Sequence, residues 1–570
     1  MWEAQHGLAS TEAKLNQSDA AITYYEQAID NIEKIRALLT KEHKTSFMQD
    51  KLYVYDELIA LLQSLHLTQP QKGYDRKAFE TFERKQGRVF VEEMGQSGAR
   101  QFVGLPKAIL EGELSLENQL AKTHQQLADE RSKPVAGIEG EVVQNKELIK
   151  TLEQRQQQLQ SELDALRETI RTEYPDYYAL KYPQPVQLDI LQKEVLKEGE
   201  LLLVYGVMEE STSLWVISQQ TFQVFYLPLT EENLNKQVGD IRLAIDNQLD
   251  TRSMIRTDIK NPLSRKKLSH LTYKLYTSLV PESVRPLVAK AKTLYVVPTG
   301  VLYALPFEML VTQPVKRKKD TIHYLIEEVP VAYLSSASLL KILRDAKQRR
   351  TQTARYPLLA FANPIYEGSD FRSLPNTADE ARAIAKLLNP PPNSDYLQLD
   401  EKASLPQLFD FNNKKRLADY RYLLFATHGI IPGKSNIIKQ PALVLSHPNL
   451  EKDKGLLKMA DVFALELNAQ LVSLSACNTG SGKQERGEGV MGLTRAFMYA
   501  GTPVIAVTLW SVNTYSTEQL NVGFFDKLTQ IQNQAQALQA IKLEMLHGLN
   551  GKKYQHPYYW APFVLFGDVN

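Results

Sequence analysis

The second half of the chain alternates short apolar runs with amphipathic segments, and this alternation constrains the fold more than any other feature. From about Tyr356 onward, six runs have the length and apolarity of strands: 357–362, 422–426, 442–445, 471–475, 503–509 and 562–566. Segments with helical spacing lie between them, near 377–388, 403–411, 487–500, 515–530 and 535–548. Strands that alternate with helices favour a mostly parallel sheet covered on both faces, so an α/β fold is predicted.

Two of these predicted strands end next to residues that suit catalysis. The run 471–475 is followed by Cys477, the only cysteine among 570 residues, and the run 422–426 is followed by His428. Open α/β sheets bind their ligands at the carboxyl ends of strands. A single cysteine with a histidine about 50 residues upstream is a pattern that caspases share. Here the separation is 49 residues (477 − 428).

The chemistry of the two side chains explains why they would act together. A free thiol is only a few per cent thiolate at neutral pH, and an imidazole that accepts its proton raises the nucleophilic fraction. The imidazolium then protonates the amine leaving group. The backbone N–H groups of Gly429 and Cys477 are candidates for an oxyanion hole. The alternative is an inert buried cysteine and a histidine at the edge of the core. Two strand ends that each deliver one partner favour catalysis.

The glycine-rich segment after Cys477 permits another interpretation, a phosphate-binding loop. Gly480-Ser481-Gly482-Lys483 follows a strand and precedes a helix. The P-loop pattern requires glycine where Cys477 stands and serine or threonine where Gln484 stands, so nucleotide binding is disfavoured. The ten histidines are scattered, and the sequence shows no Cys/His cluster. We therefore expect neither a cofactor nor a metal.

Composition limits the compartment and the partners. Lys+Arg 67 against Asp+Glu 66 lacks the basic excess of a nucleic-acid-binding protein. One cysteine excludes an intramolecular disulfide and fits a reducing cytosol. Residues 1–6 lack the basic and apolar regions of a signal peptide. No apolar run approaches the ~18 residues of a membrane-spanning helix. A cytoplasmic protein without membrane or nucleic-acid partners is predicted.

The first 175 residues have helical periodicity. In residues 1–105, small and aromatic residues recur near the offsets of tetratricopeptide (TPR) repeats: Leu8, Ala9, Ala21, Tyr25, Ala28, Ala78 and Phe82. An ordinary helical bundle fits this pattern equally well. Residues 106–175 carry apolar residues at heptad spacing, and Pro134 interrupts the run, which predicts an antiparallel, coiled-coil-like hairpin.

The region 176–350 has a different pattern. Three short strands at hairpin spacing are predicted at 200–205, 214–217 and 222–225. Two amphipathic helices, around 231–249 and 265–280, and a strand at 293–298 follow them.

A series of short motifs in this order resembles the CHAT domain, the family of caspase- and separase-related peptidases. The motifs are Pro298-Thr299-Gly300, Leu305-Pro306-Phe307-Glu308, Ala362-Asn363-Pro364, 374–381, Ala426-Thr427-His428-Gly429, 475–480, Gly487-Glu488-Gly489, 493–497, 508–512 and 559–563. The resemblance covers roughly residues 190–570.

This resemblance implies a caspase-like fold with a His428–Cys477 dyad in a catalytic domain at 351–570. It implies a degenerate, non-catalytic α/β half at 176–350, and the helical regions before it match the usual architecture of the family. Members are implied to cleave one or a few protein partners, several of them in bacterial defence or regulated cell death. Their helical part commonly receives the activating signal.

The resemblance also suggests residues near the substrate. Related metacaspases carry an acidic residue two places before the cysteine, where this chain has Ser475, so a basic P1 preference is in doubt. The candidates for the substrate-binding cleft are Ser475, Trp510, Ser511, Asn513, Glu485 and Glu488.

Three functions follow from these observations. The leading one is a regulated cysteine endopeptidase that acts on a specific protein partner. The second is a catalytically silent scaffold whose helices bind a partner protein. The third is an enzyme that uses the same nucleophile on a small amide or thioester.

Overall fold

The computed structural model describes residues 1–39, 47–48, 50–96, 105–133, 144–182, 184–246, 265–317, 320–350, 352–369, 371–430, 440–449, 454–475, 488–510, 514–548 and 551–570. Contacts divide the chain into two compact units, Met1–Pro185 and Val186–Asn570. The predicted change of architecture at 175/176 falls slightly before this division. In the described parts of both units, no helix combines the length and the apolarity needed to cross a membrane.

The first unit is helical, as the periodicity predicts. Its principal helices are α1 Trp2–Lys14, α2 Ser18–Leu38, α3 Tyr53–Thr68, α4 Tyr74–Gln96, α5 Lys107–Ser132, α6 Lys146–Glu173 and α7 Pro175–Lys181. Helix α1 packs on α2, and α3 packs on α4. Asn16, with φ of 58°, lies in the turn between α1 and α2.

The residues predicted to lie between paired helices are buried, with one exception. The buried ones are Ala9, Ala21, Tyr25, Ala28, Ala78 and Phe82. Leu8 was expected among them, but this prediction is wrong because its side chain is 45% exposed. Adjacent helical residues point in directions about 100° apart, and here Ala9 takes the inward position.

Helices α5 and α6 form the predicted hairpin. Leu120 of α5 packs against Leu159 and Leu163 of α6 in a small apolar core. The predicted break at Pro134 lies outside the described residues. A buried carboxylate, Glu113, ties α7 to α5, because it accepts a hydrogen bond from the Tyr177 hydroxyl at 2.9 Å.

The second unit is built on strands. They are β1 Glu200–Val207, β2 Thr212–Ile217, β3 Phe222–Leu227, β4 Thr293–Val297, β5 Val331–Tyr333, β6 Tyr356–Ala362, β7 Leu397–Leu399, β8 Tyr420–Ala426, β9 His428–Ile430, β10 Ala442–Asn449, β11 Lys454–Lys458, β12 Leu471–Leu474, β13 Val504–Thr508 and β14 Phe563–Gly567.

Eleven of these strands form one sheet in the order β3-β2-β1-β4-β5-β14-β13-β12-β8-β6-β7. Its pairs are parallel except β1–β2, β2–β3 and β13–β14. The prediction of a mostly parallel sheet is therefore confirmed. Strand β5 of the region 176–350 pairs with β14 of the region 351–570, where Phe566 lies opposite Tyr333. The two predicted α/β halves thus share a single sheet.

Helices flank this sheet. They are α8 Glu231–Asp246, α9 Arg265–Leu279, α10 Arg285–Lys290, α11 Ala337–Arg349, α12 Pro375–Leu388, α13 Leu405–Asn413, α14 Glu488–Tyr499, α15 Thr514–Leu528 and α16 Gln534–Leu546. The architecture is a caspase-like α/β fold preceded by an all-α region, as predicted.

A second, smaller sheet interrupts the alternation. Strands β9, β10 and β11 form an antiparallel sheet in the order β11-β10-β9. The run 442–445 was expected in the parallel sheet and instead lies here, as part of β10. Ala442, Val444 and Leu456 of this sheet share a core with Tyr366, which follows β6.

Buried ion pairs centred on Arg344 and Lys542 link the regions 176–350 and 351–570. Arg344 of α11 contacts Glu200 at 2.7 Å and Asp568, which follows β14, at 2.9 Å. Lys542 of α16 lies 3.0 Å from Glu308, and both side chains are at most 1% exposed. Buried charges of this kind are stable only when they are paired.

Candidate functional site

The strands that precede His428 and Cys477 are parallel neighbours. Strand β12 pairs with β8 in a register that places Leu474 beside Phe425, 49 residues earlier (474 − 425). The same 49 residues separate Cys477 from His428. Both candidate residues therefore follow the last pair of the β8–β12 register by three positions. Their strands end at the same edge of the sheet, where α/β proteins bind ligands.

His428 begins β9, and its ring is held in one orientation. Its Nε2 lies 2.9 Å from the backbone carbonyl oxygen of Arg372. Because a carbonyl oxygen only accepts hydrogen bonds, Nε2 carries the proton of the neutral ring, and Nδ1 has the lone pair. Burial lowers the pKa of His428 below its ordinary 6.5, which the hydrogen bond to Arg372 partly offsets. At neutral pH the ring is therefore predominantly neutral, with Nδ1 as a base.

Aromatic side chains and a hydroxyl network surround the histidine. The ring centroid of Tyr366 lies 5.1 Å from that of His428, and that of Phe371 lies 5.6 Å away. The backbone N–H of His428 donates to the Tyr366 hydroxyl at 3.3 Å. That hydroxyl also lies 2.7 Å from the Thr427 hydroxyl and donates to the Val444 carbonyl at 3.2 Å. The segment after β6 thus fixes both the backbone and the ring of His428.

Several of the predicted site residues are not described by the structure. Cys477, Glu485, Ser511 and Asn513 lie outside the described residues. Glu488 is the first residue of α14, but the orientation of its side chain is not described. Gly429 lies in β9 opposite Leu443 of β10. Their roles in the oxyanion hole and the substrate cleft stay predictions.

Ser475, predicted near the substrate, belongs to a buried polar network. Its hydroxyl donates to Oε2 of Glu380 on α12 at 3.2 Å. Oε1 of Glu380 accepts a hydrogen bond from the amide of Asn521 on α15 at 2.5 Å, and Asn521 accepts one from Ser473 at 3.1 Å. All four side chains are at most 5% exposed. Ser473 thus contacts α15 and Ser475 contacts α12, and Glu380 and Asn521 join the two helices.

Trp510, the other described candidate, is also buried. Its side chain is 1% exposed, and its indole N–H donates to the carbonyl oxygen of Tyr558 at 3.1 Å. The guanidinium of Arg242, from α8, lies 4.8 Å from the centre of its ring. For both Ser475 and Trp510, these interior contacts favour support of the strand ends over direct contact with a substrate.

Burial makes the ionisation of Glu380 unfavourable. Desolvation raises the pKa of this carboxyl from 4.5 to about 7, although hydrogen bonds from Asn521 and Ser475 lower it. The folded protein therefore holds this proton more tightly than the unfolded chain does. Between pH 4.5 and 7, this carboxyl ionises in the unfolded chain but stays protonated in the folded protein, so the free energy of unfolding falls progressively. Above pH 7 the full loss of about 3 kcal/mol is present.

We expect Glu380→Gln to stabilise the second unit in a pH-dependent way. The free energy of unfolding should exceed that of the wild type by about 3 kcal/mol at pH 8, because the amide carries no charge, and by little at pH 5. Urea unfolding followed by tryptophan fluorescence at both pH values measures this difference. An advantage of the same size at both pH values would show that charge is not the cause.

The sequence contains a signal for Glu380 but none for the aromatic residues around His428. Position 380 falls within the buried helical stripe formed by Thr377, Ala381 and Ile384 on α12. An acidic residue in such a stripe predicts a buried carboxyl with a special role. Tyr366 and Phe371 lie in an irregular segment after β6, where no periodicity indicates which side chains face the site.

Within the described residues, His, Cys, Asp and Glu side chains form no group of three or more that could hold a metal ion. The polar groups around His428 and Glu380 are hydrogen-bonded to protein atoms of the chain itself.

Comparisons with known proteins agree with this architecture. A family model described as "CHAT domain" matches residues 270–568, just over half of the chain. Human "Tetratricopeptide repeat protein 28" is 34% identical over 113 residues, which cover 20% of this chain and 4% of that protein. The mouse protein of the same name is 32% identical over 114 residues, again covering 20% and 4%. The chain thus matches only a small part of these relatives.

Among solved structures, two of the Saccharomyces cerevisiae separase–securin complex are similar. Each alignment covers 99% of this chain at 11% identity. The TM-scores are 0.44 and 0.43, with 47% and 46% of the other chain covered. The fold assignment therefore follows from the strand order and the matched family model.

Proposed function

Because this chain belongs to the CHAT-domain family, we propose that it is a cysteine endopeptidase in which His428 and Cys477 form the catalytic dyad. One observation carries the proposal. The strands before the two residues are parallel neighbours, and their register offset equals the separation of His428 and Cys477 in the sequence. The fixed tautomer of His428 supports it further, because Nδ1 is left as the proton acceptor.

The proposed reaction has two stages. In the first, His428 accepts the thiol proton of Cys477 at Nδ1, and the thiolate attacks the carbonyl carbon of the scissile peptide bond. The imidazolium then gives this proton to the leaving amine, and an acyl-thioester remains. In the second stage, His428 accepts a proton from water, the hydroxide attacks the thioester, and the thiolate leaves. The N–H groups of Gly429 and Cys477 are proposed to stabilise the oxyanion in both stages.

The biological context is part of the same proposal. A specific protein is the proposed substrate, and the TPR-like helices are the proposed site for an activating protein partner. The name of a relative that is 34% identical over 113 residues, a tetratricopeptide repeat protein, supports the binding of a protein partner. A cytoplasmic location, supported by the single cysteine, and a role in bacterial defence or regulated cell death are proposed from the sequence and the family resemblance.

The decisive experiment is a peptide-library cleavage assay of the wild type beside Cys477→Ala. We expect cleavage by the wild type and none by the variant, because the variant lacks the only thiol of the chain. Circular dichroism should show that both proteins are equally folded.

Equal cleavage by both proteins would disprove the dyad. If neither cleaves, addition of a protein captured by residues 1–185 separates latency from a silent scaffold. An enzyme acting on small amides or thioesters would hydrolyse those compounds and leave the peptides intact.

A further inference from the structure

The network around Glu380 joins three elements at the strand that leads to the proposed nucleophile. Glu380 from α12 accepts hydrogen bonds from Asn521 of α15 at 2.5 Å and from Ser475 at 3.2 Å. Ser475 directly follows β12 and precedes Cys477 by two residues. The side chain of Glu380 is 2% exposed. A change in the charge of Glu380 therefore alters the electrostatic environment at the end of β12.

No cation in the described part of the chain neutralises this carboxyl, and its charged neighbour has the same sign. Glu518 of α15 raises the pKa of Glu380 through charge repulsion. Asp379, the preceding residue on α12, instead pairs with Arg382 at 3.0 Å. On β8, Arg421 donates to Gln470 at 2.7 Å. A buried carboxyl with hydrogen-bond donors but without a cation readily gains and loses its proton near neutral pH.

We propose that Glu380 is a positioning residue whose ionisation controls the reactivity of the Cys477 thiol through the end of β12. The role rests on the proposed function of Cys477 as a nucleophile. When Glu380 is neutral, the thiol ionises without a nearby buried charge. When Glu380 is ionised, its negative charge opposes thiolate formation and raises the pKa of Cys477.

Chain geometry sets the size of the expected effect. Two residues span at most about 7 Å between Cα atoms whatever their conformation, so chain connectivity alone keeps the thiol within roughly 16 Å of the carboxyl that Ser475 contacts. A unit charge at that distance in a protein interior changes the thiolate fraction roughly three- to tenfold. Such a change is easily measured by alkylation rates.

The test uses the single cysteine as its own reporter. The full-length wild type and Glu380→Gln are treated with iodoacetamide at pH values from 6 to 8.5, and intact mass reports the labelling of Cys477 alone. Glutamine keeps the shape of the side chain and, like the protonated carboxyl, offers one accepting oxygen and one donor group, but it does not ionise. We expect equal rates at pH 6 and a roughly three- to tenfold faster reaction of the variant at pH 8.

Two further variants are expected to shift the pH at which the alkylation rates diverge, one to lower pH and the other to higher pH. Glu518→Gln removes the repulsion that raises the pKa of Glu380, so the divergence should begin at lower pH. Ser475→Ala removes a hydrogen bond that lowers this pKa, so the divergence should begin at higher pH. Each is compared with the same variant carrying Glu380→Gln. A purely structural role of Glu380 would produce no such pair of opposite shifts.

The results separate this inference from the proposed function. A rate ratio of one throughout, a ratio independent of pH, or a Cys477 that is not alkylated in the folded protein would overturn the role of Glu380. A pH-dependent ratio in a protein that cleaves no peptide would support the role and count against the peptidase. Peptide cleavage by a protein whose alkylation rate ratio does not change with pH would support the peptidase and count against the role of Glu380.

Discussion

Replacing His428 by glutamine is expected to lower kcat/KM for peptide cleavage by roughly 10²–10⁴-fold, the contribution typical of a positioned acid–base residue. Glutamine retains an N–H that can donate to the Arg372 carbonyl, as Nε2 of His428 does at 2.9 Å. It cannot accept a proton at neutral pH, so the variant tests proton transfer with little change of packing. Steady-state kinetics with the best library peptide measures the loss.

His556 provides the matched control. It is a buried histidine, 6% exposed, and its Nδ1 accepts the backbone N–H of Tyr558 at 3.2 Å at the start of a short helix. This contact gives His556 a structural role as the cap of that helix. His556→Gln should keep kcat/KM within about threefold of the wild type, since it takes no part in proton transfer. Full activity of His428→Gln would refute the dyad.

The second large effect concerns stability. We expect Lys542→Met to lower the free energy of unfolding of the second unit by about 3–5 kcal/mol, because it leaves the carboxylate of Glu308 buried without its cation. Lys542 and Glu308 are 3.0 Å apart, and the Tyr333 hydroxyl donates to the other carboxylate oxygen at 2.5 Å. Three of the four tryptophans, Trp215, Trp510 and Trp560, lie in this unit. Their fluorescence during urea unfolding therefore reports the change.

Two comparisons make this prediction specific. Lys527→Met breaks a pair at 2.6 Å with Glu544 in which the side chains are 20% and 35% exposed, and it should cost at most about 1 kcal/mol. Adding Glu308→Gln to Lys542→Met removes the stranded charge and should restore part of the lost stability. If Lys527→Met and Lys542→Met cost the same, burial is not what makes the inner pair important.

The regular part of the fold could be predicted because its periodicity is strong. The runs at 357–362, 422–426 and 471–475 correspond to β6, β8 and β12 within one or two residues at each end. Each is an almost continuous apolar segment, as expected for a strand with helices on both faces. The same reasoning found the two strand ends that carry His428 and precede Cys477.

Several of the missed strands are short and depend on distant partners. Strands β5 and β7 have three residues each, and β9 is a three-residue strand that begins at His428 itself. Such segments are too short to show a period, and only their neighbours make them strands. The 442–445 run was identified as a strand but placed in the wrong sheet, because its apolar pattern does not distinguish parallel from antiparallel pairing.

The candidate site likewise combines features that the sequence predicts with features that it does not. The chemistry-bearing residues were evident from their type and spacing, whereas the groups that orient them were not. The Arg372 carbonyl is a backbone atom, and its contact with His428 depends on the path of the chain after β6. The network of Glu380, Asn521 and Ser475 joins residues far apart in sequence, so the buried stripe of α12 signals Glu380 but not its two partners.

The pairing of β5 with β14 has a practical consequence for anyone who shortens the protein. A fragment that begins at residue 351 would lack β5, and β14 would become an edge strand. All five residues of β14 are buried in the full chain, so the fragment would present unpaired backbone groups on an apolar ribbon. Exposed edges of this kind recruit other chains and cause aggregation. Strand β5 of the region 176–350 therefore covers this edge of the region 351–570.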